Sequence, residues 1–161
     1  MIKYTDTLVT FSEVPDEVAL CINLTKCWFR CPECHSKELW LDTGFKLTQS
    51  EIDRLISEND GITCICFMGE GSKDTHEINT FANYIRNNHY KLKIALYTGR
   101  DIVPPLLMKS SFDYIKLGRY DSAKGPINNP KTNQRLYKID HMHSHTLVDI
   151  TNKFWNETEH S

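Results

Sequence analysis

Three cysteines, Cys27, Cys31 and Cys34, fall within the eight residues CWFRCPEC at the spacing C-x3-C-x2-C. Offsets of four and three with an intervening proline fit neither a strand nor a straight helix, but a loop can curl until all three sulfurs converge. Soft thiolates grouped in this way select zinc or an iron–sulfur cluster. Structural zinc closes a tetrahedron with four protein ligands. The nearest fourth donors are His35, adjacent to Cys34, and Cys21, inside an expected strand. A four-iron cubane normally takes four cysteines, so three leave one iron open to an external ligand, an arrangement suited to chemistry more than to plain electron transfer. On spacing alone a structural zinc module and an open cluster both stand.

The surrounding elements must bring such a loop to a useful place. VALCINL (18–24) and ITCICFM (62–68) are apolar at nearly every position and rich in β-branched residues, the pattern of strands covered on both faces. Further strands are expected at 93–98, 113–118 and 135–140. Thr48 to Asn59 opens with T-x-x-E, a capping-box pattern, and sets Ile52, Leu55 and Ile56 on one helical face. Asp74 to Asn88 does the same with Ile78, Phe81, Ala82 and Ile85. Pro104 and Pro105 fit only the first turn of a helix after Asp101, so that helix must be short. Strands alternating with helices imply a parallel sheet, whose ligands gather at the carboxyl ends of the strands. CWFRCPEC follows the first of these strands, MGEGSKD the second and TGRD the third, so three signals fall on one rim.

With 161 residues the chain is expected to form one domain, 1–161. A formal net charge of -2 gives no polybasic footprint, so no nucleic acid partner is expected. No apolar run approaches the roughly eighteen residues of a membrane span, and the start MIKYTDTLVT lacks a signal pattern. The expectation is a cytoplasmic protein without a membrane partner, in which cysteines are free, metal-binding or catalytic rather than disulfide-bonded.

CWFRCPECHSKELW resembles the radical S-adenosylmethionine signature, and its tail CHSKELW is similar to the form found in glycyl-radical-enzyme activases. A second match is FMGEG (67–71), where the superfamily carries a glycine-rich turn that meets the methionine moiety of the cosubstrate. Further along, ALYTGR (95–100), DYIKLGRYD (113–121) and NNPKTNQRLYKI (128–139) resemble the closing segments of anaerobic ribonucleoside-triphosphate reductase activating proteins, the compact branch of the activases. The resemblance runs from about residue 8 to residue 140.

It implies an α/β fold of the radical SAM type, a partial, open TIM-like β/α barrel with mainly parallel strands. It also implies a 4Fe-4S cluster on Cys27, Cys31 and Cys34, with S-adenosyl-L-methionine chelating the fourth iron. A reduced cluster would cleave the cosubstrate, and the resulting radical would take a hydrogen atom from a glycine of the reductase's large subunit. The implied partners are that subunit and a one-electron donor such as flavodoxin. The cosubstrate contacts it implies are the backbone of Glu33, Cys34 and His35, the turn Gly69, Glu70 and Gly71, and the Thr98–Gly99 rim. The chain departs from the pattern in two places. No proline follows the Gly69 turn, and Glu33 stands where many members carry an aromatic against adenine, leaving Trp28, Phe29 and Tyr97 as the candidate rings. The same signature also fits a small radical SAM enzyme acting on a small molecule, such as 7-carboxy-7-deazaguanine synthase.

Three features stand apart. Cys64 and Cys66 share a strand face and, with Cys21, are expected to be buried structural thiols. HMHSH (141–145) is expected to be an exposed connector rather than a metal site. Asn133, Gln134 and Arg135 either reach the cosubstrate or partner, or form a solvated loop entering an edge strand.

Overall fold

The computed structural model describes residues 2–24, 44–69, 75–119, 121 and 123–156. Among them are eight strands: β1 (Lys3–Thr10), β2 (Ala19–Leu24), β3 (Phe45–Lys46), β4 (Cys64–Met68), β5 (Lys93–Tyr97), β6 (Tyr114–Leu117), β7 (Arg135–Asp140) and β8 (Thr146–Asp149). Three helices accompany them: α1 (Gln49–Glu58), α2 (Thr75–Asn88) and α3 (Lys153–Asn156). The strands form one sheet in the order β3-β1-β2-β4-β5-β6-β7-β8. The central four, β2, β4, β5 and β6, run parallel. Both flanks are antiparallel, β1 and β3 on one side and the β7–β8 hairpin on the other.

Period-two alternation in the parallel strands creates two unlike faces. Leu20, Ile22, Leu24, Ile65, Phe67, Ile94, Leu96, Ile115 and Leu117 share one core with α1 and α2, which contribute Ile52, Leu55, Ile78, Phe81, Ala82 and Ile85. Each large apolar side chain buried there contributes about 1.5–3 kcal/mol of transfer free energy. The opposite face carries smaller groups, Ala19, Cys21, Cys64, Cys66 and Ala95, beside Tyr97 and Tyr114. Val14, Leu136, Ile127, Ile150 and Phe154 pack against them.

The expected helix cap forms, with a change of partner. Thr48 Oγ1 accepts from Glu51 N at 3.1 Å, which satisfies one free donor of the first turn. Glu51 does not return the bond to Thr48 in the manner of a full capping box. Its carboxylate accepts from the Tyr4 hydroxyl at 2.7 Å and pairs with Arg54, so the cap also ties β1 to α1.

A parallel pair needs a crossover, usually a helix. Helix α2 serves between β4 and β5. Between β5 and β6 no α-helix forms, only a 3-10 turn at Lys109–Ser111 preceded by the turn at the two prolines. Asn79 of α2 fastens this connection from both sides, donating to Leu106 O at 2.8 Å and accepting from Met108 N at 3.0 Å.

Candidate cosubstrate rim

The carboxyl ends of the parallel strands stand in one register. Asn23 of β2 pairs with Met68 of β4, Met68 with Tyr97 of β5, and Tyr97 with Lys116 of β6. One row below, Cys21, Cys66, Ala95 and Tyr114 are likewise partners. A rim of longer side chains thus overhangs a floor that is small at three of its four positions.

Past the rim the chain leaves β2 toward the cysteine loop. Cys27, Cys31 and Cys34, together with Trp28, Phe29, Glu33 and His35, lie outside the described residues, as do Glu70 and Gly71. Gly69 is described and shows why glycine stands there. Its φ is +95°, in the left-handed region, and an added Cβ would come 3.3 Å from Leu24 O. Its N–H donates to Tyr97 O at 3.0 Å.

Thr98 and Gly99 follow β5. Thr98 is buried, and its Oγ1 accepts from Arg100 N at 3.3 Å. Thr98 N donates to Lys116 O at 3.0 Å, and Gly118 N donates to Arg100 O at 2.7 Å. Gly118 has φ +100°, and a Cβ there would meet Asn133 O at 3.0 Å and Gln134 Cα at 3.2 Å. That close approach settles the geometry of the 132–134 segment, which is not a solvated loop. Gln134 is buried and reaches Gly118 O at 3.4 Å, while Asn133 Nδ2 donates to Arg119 O at 3.0 Å. Arg135 instead faces outward, its guanidinium 5.7 Å from the Trp155 ring centroid and 3.7 Å from Asp149.

Tyr97 is 3% exposed and donates its hydroxyl to Glu13 O. The Lys116 ammonium sits 4.5 Å from its ring centroid, occupying one ring face. Sequence reasoning missed Lys116, because a lysine within YIKL reads as a solvent-facing strand position. Its spacing of two from buried Tyr114 was the available signal. Burial pushes the Lys116 ammonium below the usual lysine range, and Glu13 followed by the Cys66 and Cys21 thiols pulls it back up.

Cys21, Cys64 and Cys66 are free and buried, as expected. Burial raises the Cys64 and Cys66 thiols, and a hydrogen bond from Cys21 adds to the shift at Cys66. Protonated thiols are poor metal ligands. The HMHSH segment is an exposed turn between β7 and β8. Within it His141 Nδ1 lies 3.0 Å from His145 Nδ1, and His143 Nδ1 lies 2.7 Å from Asp140 Oδ2. Among the described residues no group of three or more His, Cys, Asp or Glu side chains could hold a metal ion. Nor is any described helix long and apolar enough to cross a membrane.

A family model described as 4Fe-4S single cluster domain matches residues 18–117. The matched stretch covers all four parallel strands and contains the three clustered cysteines. No curated protein and no solved structure matches the chain.

Proposed function

Because the chain belongs to the 4Fe-4S single cluster domain family, we propose that it is a radical S-adenosylmethionine activase that forms a glycyl radical on the large subunit of anaerobic ribonucleoside-triphosphate reductase. The observation that carries this reading is the rim. Strand β2 ends three residues before Cys27, β4 ends at the bare backbone of Gly69, and β5 ends at Thr98–Gly99, on adjacent parallel strands. Ligands of parallel sheets collect at such ends. Helices on one face and small side chains on the other support reading the sheet as an open β/α barrel whose inside is the Cys21–Cys66–Ala95 floor.

The donor set suits the cluster. Cys27, Cys31 and Cys34 supply three soft thiolates and leave one iron without a protein ligand, while the other three cysteines are engaged in the core. When bound, the cluster supplies a single electron, from a donor such as flavodoxin, for cleavage of S-adenosyl-L-methionine to methionine and a 5′-deoxyadenosyl radical. The chain's own task is to bind, orient and exclude water. The Glu33–His35 backbone and the Gly69–Gly71 turn flank the cosubstrate in this reading, with Thr98–Gly99 closing the third side.

Electron paramagnetic resonance of anaerobically reconstituted, reduced protein tests it. A 4Fe-4S signal that changes shape on adding S-adenosyl-L-methionine is expected, followed by a glycyl-radical doublet once the reductase subunit is supplied. One zinc per chain with no labile sulfide would overturn it. Cosubstrate cleavage driven by a small molecule, with no doublet, would leave the cluster and remove the activase assignment.

A further inference from the structure

Lys116 is a cation in a place that does little for stability. It ends the rim row Asn23, Met68, Tyr97, Lys116, and it shares the inner face with Tyr114 and the Cys21–Cys66–Ala95 floor. Its described contact is the Tyr97 ring, and none of the ion pairs among the described residues involves it. The acid whose field acts on it most is Glu13, which does not come within ion-pair distance. An ammonium withdrawn from water without a paired carboxylate costs free energy that an apolar side chain of equal length would not. Such a group is retained where an anion arrives to pair with it.

Its position says which anion. Lys116 O accepts from Thr98 N, so the lysine is fixed to the start of the β5 loop, and its row abuts the bare Gly69 turn through Tyr97. These are the two described sides of the proposed cosubstrate rim. S-adenosyl-L-methionine is cationic at sulfur and carries a single carboxylate, on its methionine part. We propose that the Lys116 ammonium binds the α-carboxylate of the cosubstrate, with the Tyr97 ring holding the lysine stem upright beneath the rim. This rests on the radical S-adenosylmethionine reading. Lys116 is then a binding residue that fixes how the methionine part is turned.

Equilibrium dialysis on the reconstituted, unreduced holoprotein tests this without turnover. The probes are S-adenosyl-L-methionine and its decarboxylated analogue, each against wild type and Lys116→Met. The variant is expected to bind the intact cosubstrate about tenfold or more weakly, the range for a charged hydrogen bond. The analogue should bind both proteins within about twofold, since the coupling between the two deletions isolates the contact. Lys116→Arg should keep most of the affinity. Thermal unfolding should show Lys116→Met at least as stable as wild type, and Lys116→Gln replaces it in the same comparison if it does not fold. Equal affinity of wild type and variant for the intact cosubstrate would overturn the inference alone, as would an equal loss for both probes. A wild-type holoprotein that binds no cosubstrate would overturn the activase reading, and this inference with it.

Discussion

Cys21 and Cys66 are register partners on the parallel pair β2–β4, with their thiols hydrogen-bonded beneath the rim. They lie on the floor, whereas Cys27, Cys31 and Cys34 belong to the loop that follows β2. The chain therefore holds two sets of cysteines with opposite chemistry. Cys66→Ala should cost about 1 kcal/mol of stability and leave iron and sulfide content unchanged after reconstitution. Alanine at Cys27, Cys31 or Cys34 should abolish the cluster. In alkylation followed by mass spectrometry, Cys21, Cys64 and Cys66 should react only on unfolding.

Three glycines with positive φ rank themselves by what surrounds them. Gly61 has φ +87° with nothing within 4 Å of an added Cβ, Gly69 has φ +95° with Leu24 O at 3.3 Å, and Gly118 has φ +100° with Asn133 O at 3.0 Å. Alanine at Gly61 should cost about 1 kcal/mol from backbone conformation alone, rising through Gly69 to about 2–3 kcal/mol at Gly118, where backbone must also move. Urea unfolding of the three variants gives the order.

Asp53 joins the two long helices. It accepts from the Tyr84 hydroxyl at 2.5 Å and meets His89 Nε2 at 2.7 Å. The Tyr84 bond first, and His89 second, lower its carboxyl below the ordinary value of 3.8. A depressed carboxyl contributes stability that is fully present above the unfolded value and is lost as pH falls through the folded one. Asp53→Asn should therefore be less stable than wild type near neutrality, with the two acid-unfolding curves converging below pH 3.8.

At the opposite end of the sheet, buried Asp113 accepts from Ile94 N at 2.9 Å, Arg86 at 3.0 Å and His141 Nε2 at 3.1 Å. It holds β5, α2 and the β7–β8 turn together. Asp113→Ala leaves Arg86 and the Ile94 N–H without their acceptor and should cost about 3 kcal/mol or more. Denaturant titration measures it, and cosubstrate affinity should not change.

The parallel strands were legible because both faces are apolar, which leaves few polar residues to obscure the run. Helix α2 was legible from its spacing, and Ile78, Phe81, Ala82 and Ile85 are all buried. Strand β1 was not, because KYTDTLVT buries only Tyr4 and the sheet covers just one of its sides fully. Its partners, β2 and β3, hold it by backbone bonds that leave no mark on the side chains. The β7–β8 hairpin escaped for another reason. Its turn puts Ser144 and His145 at φ +57° and +58°, a task usually signalled by Gly or Asn. At the site, the cysteine spacing and the Gly69 turn could be read directly. Lys116 could not, since only the fold reveals that its face is the covered one.

The bonds between the rim loops have a mechanical meaning. Thr98 N leans on Lys116 O, and Gly118 N leans back on Arg100 O, so the segments after β5 and β6 clasp each other reciprocally. Neither can tilt outward alone. Whatever touches the Thr98–Gly99 turn also levers the TNQ segment seated on Gly118, and so sends its displacement toward the antiparallel hairpin at the sheet's far edge.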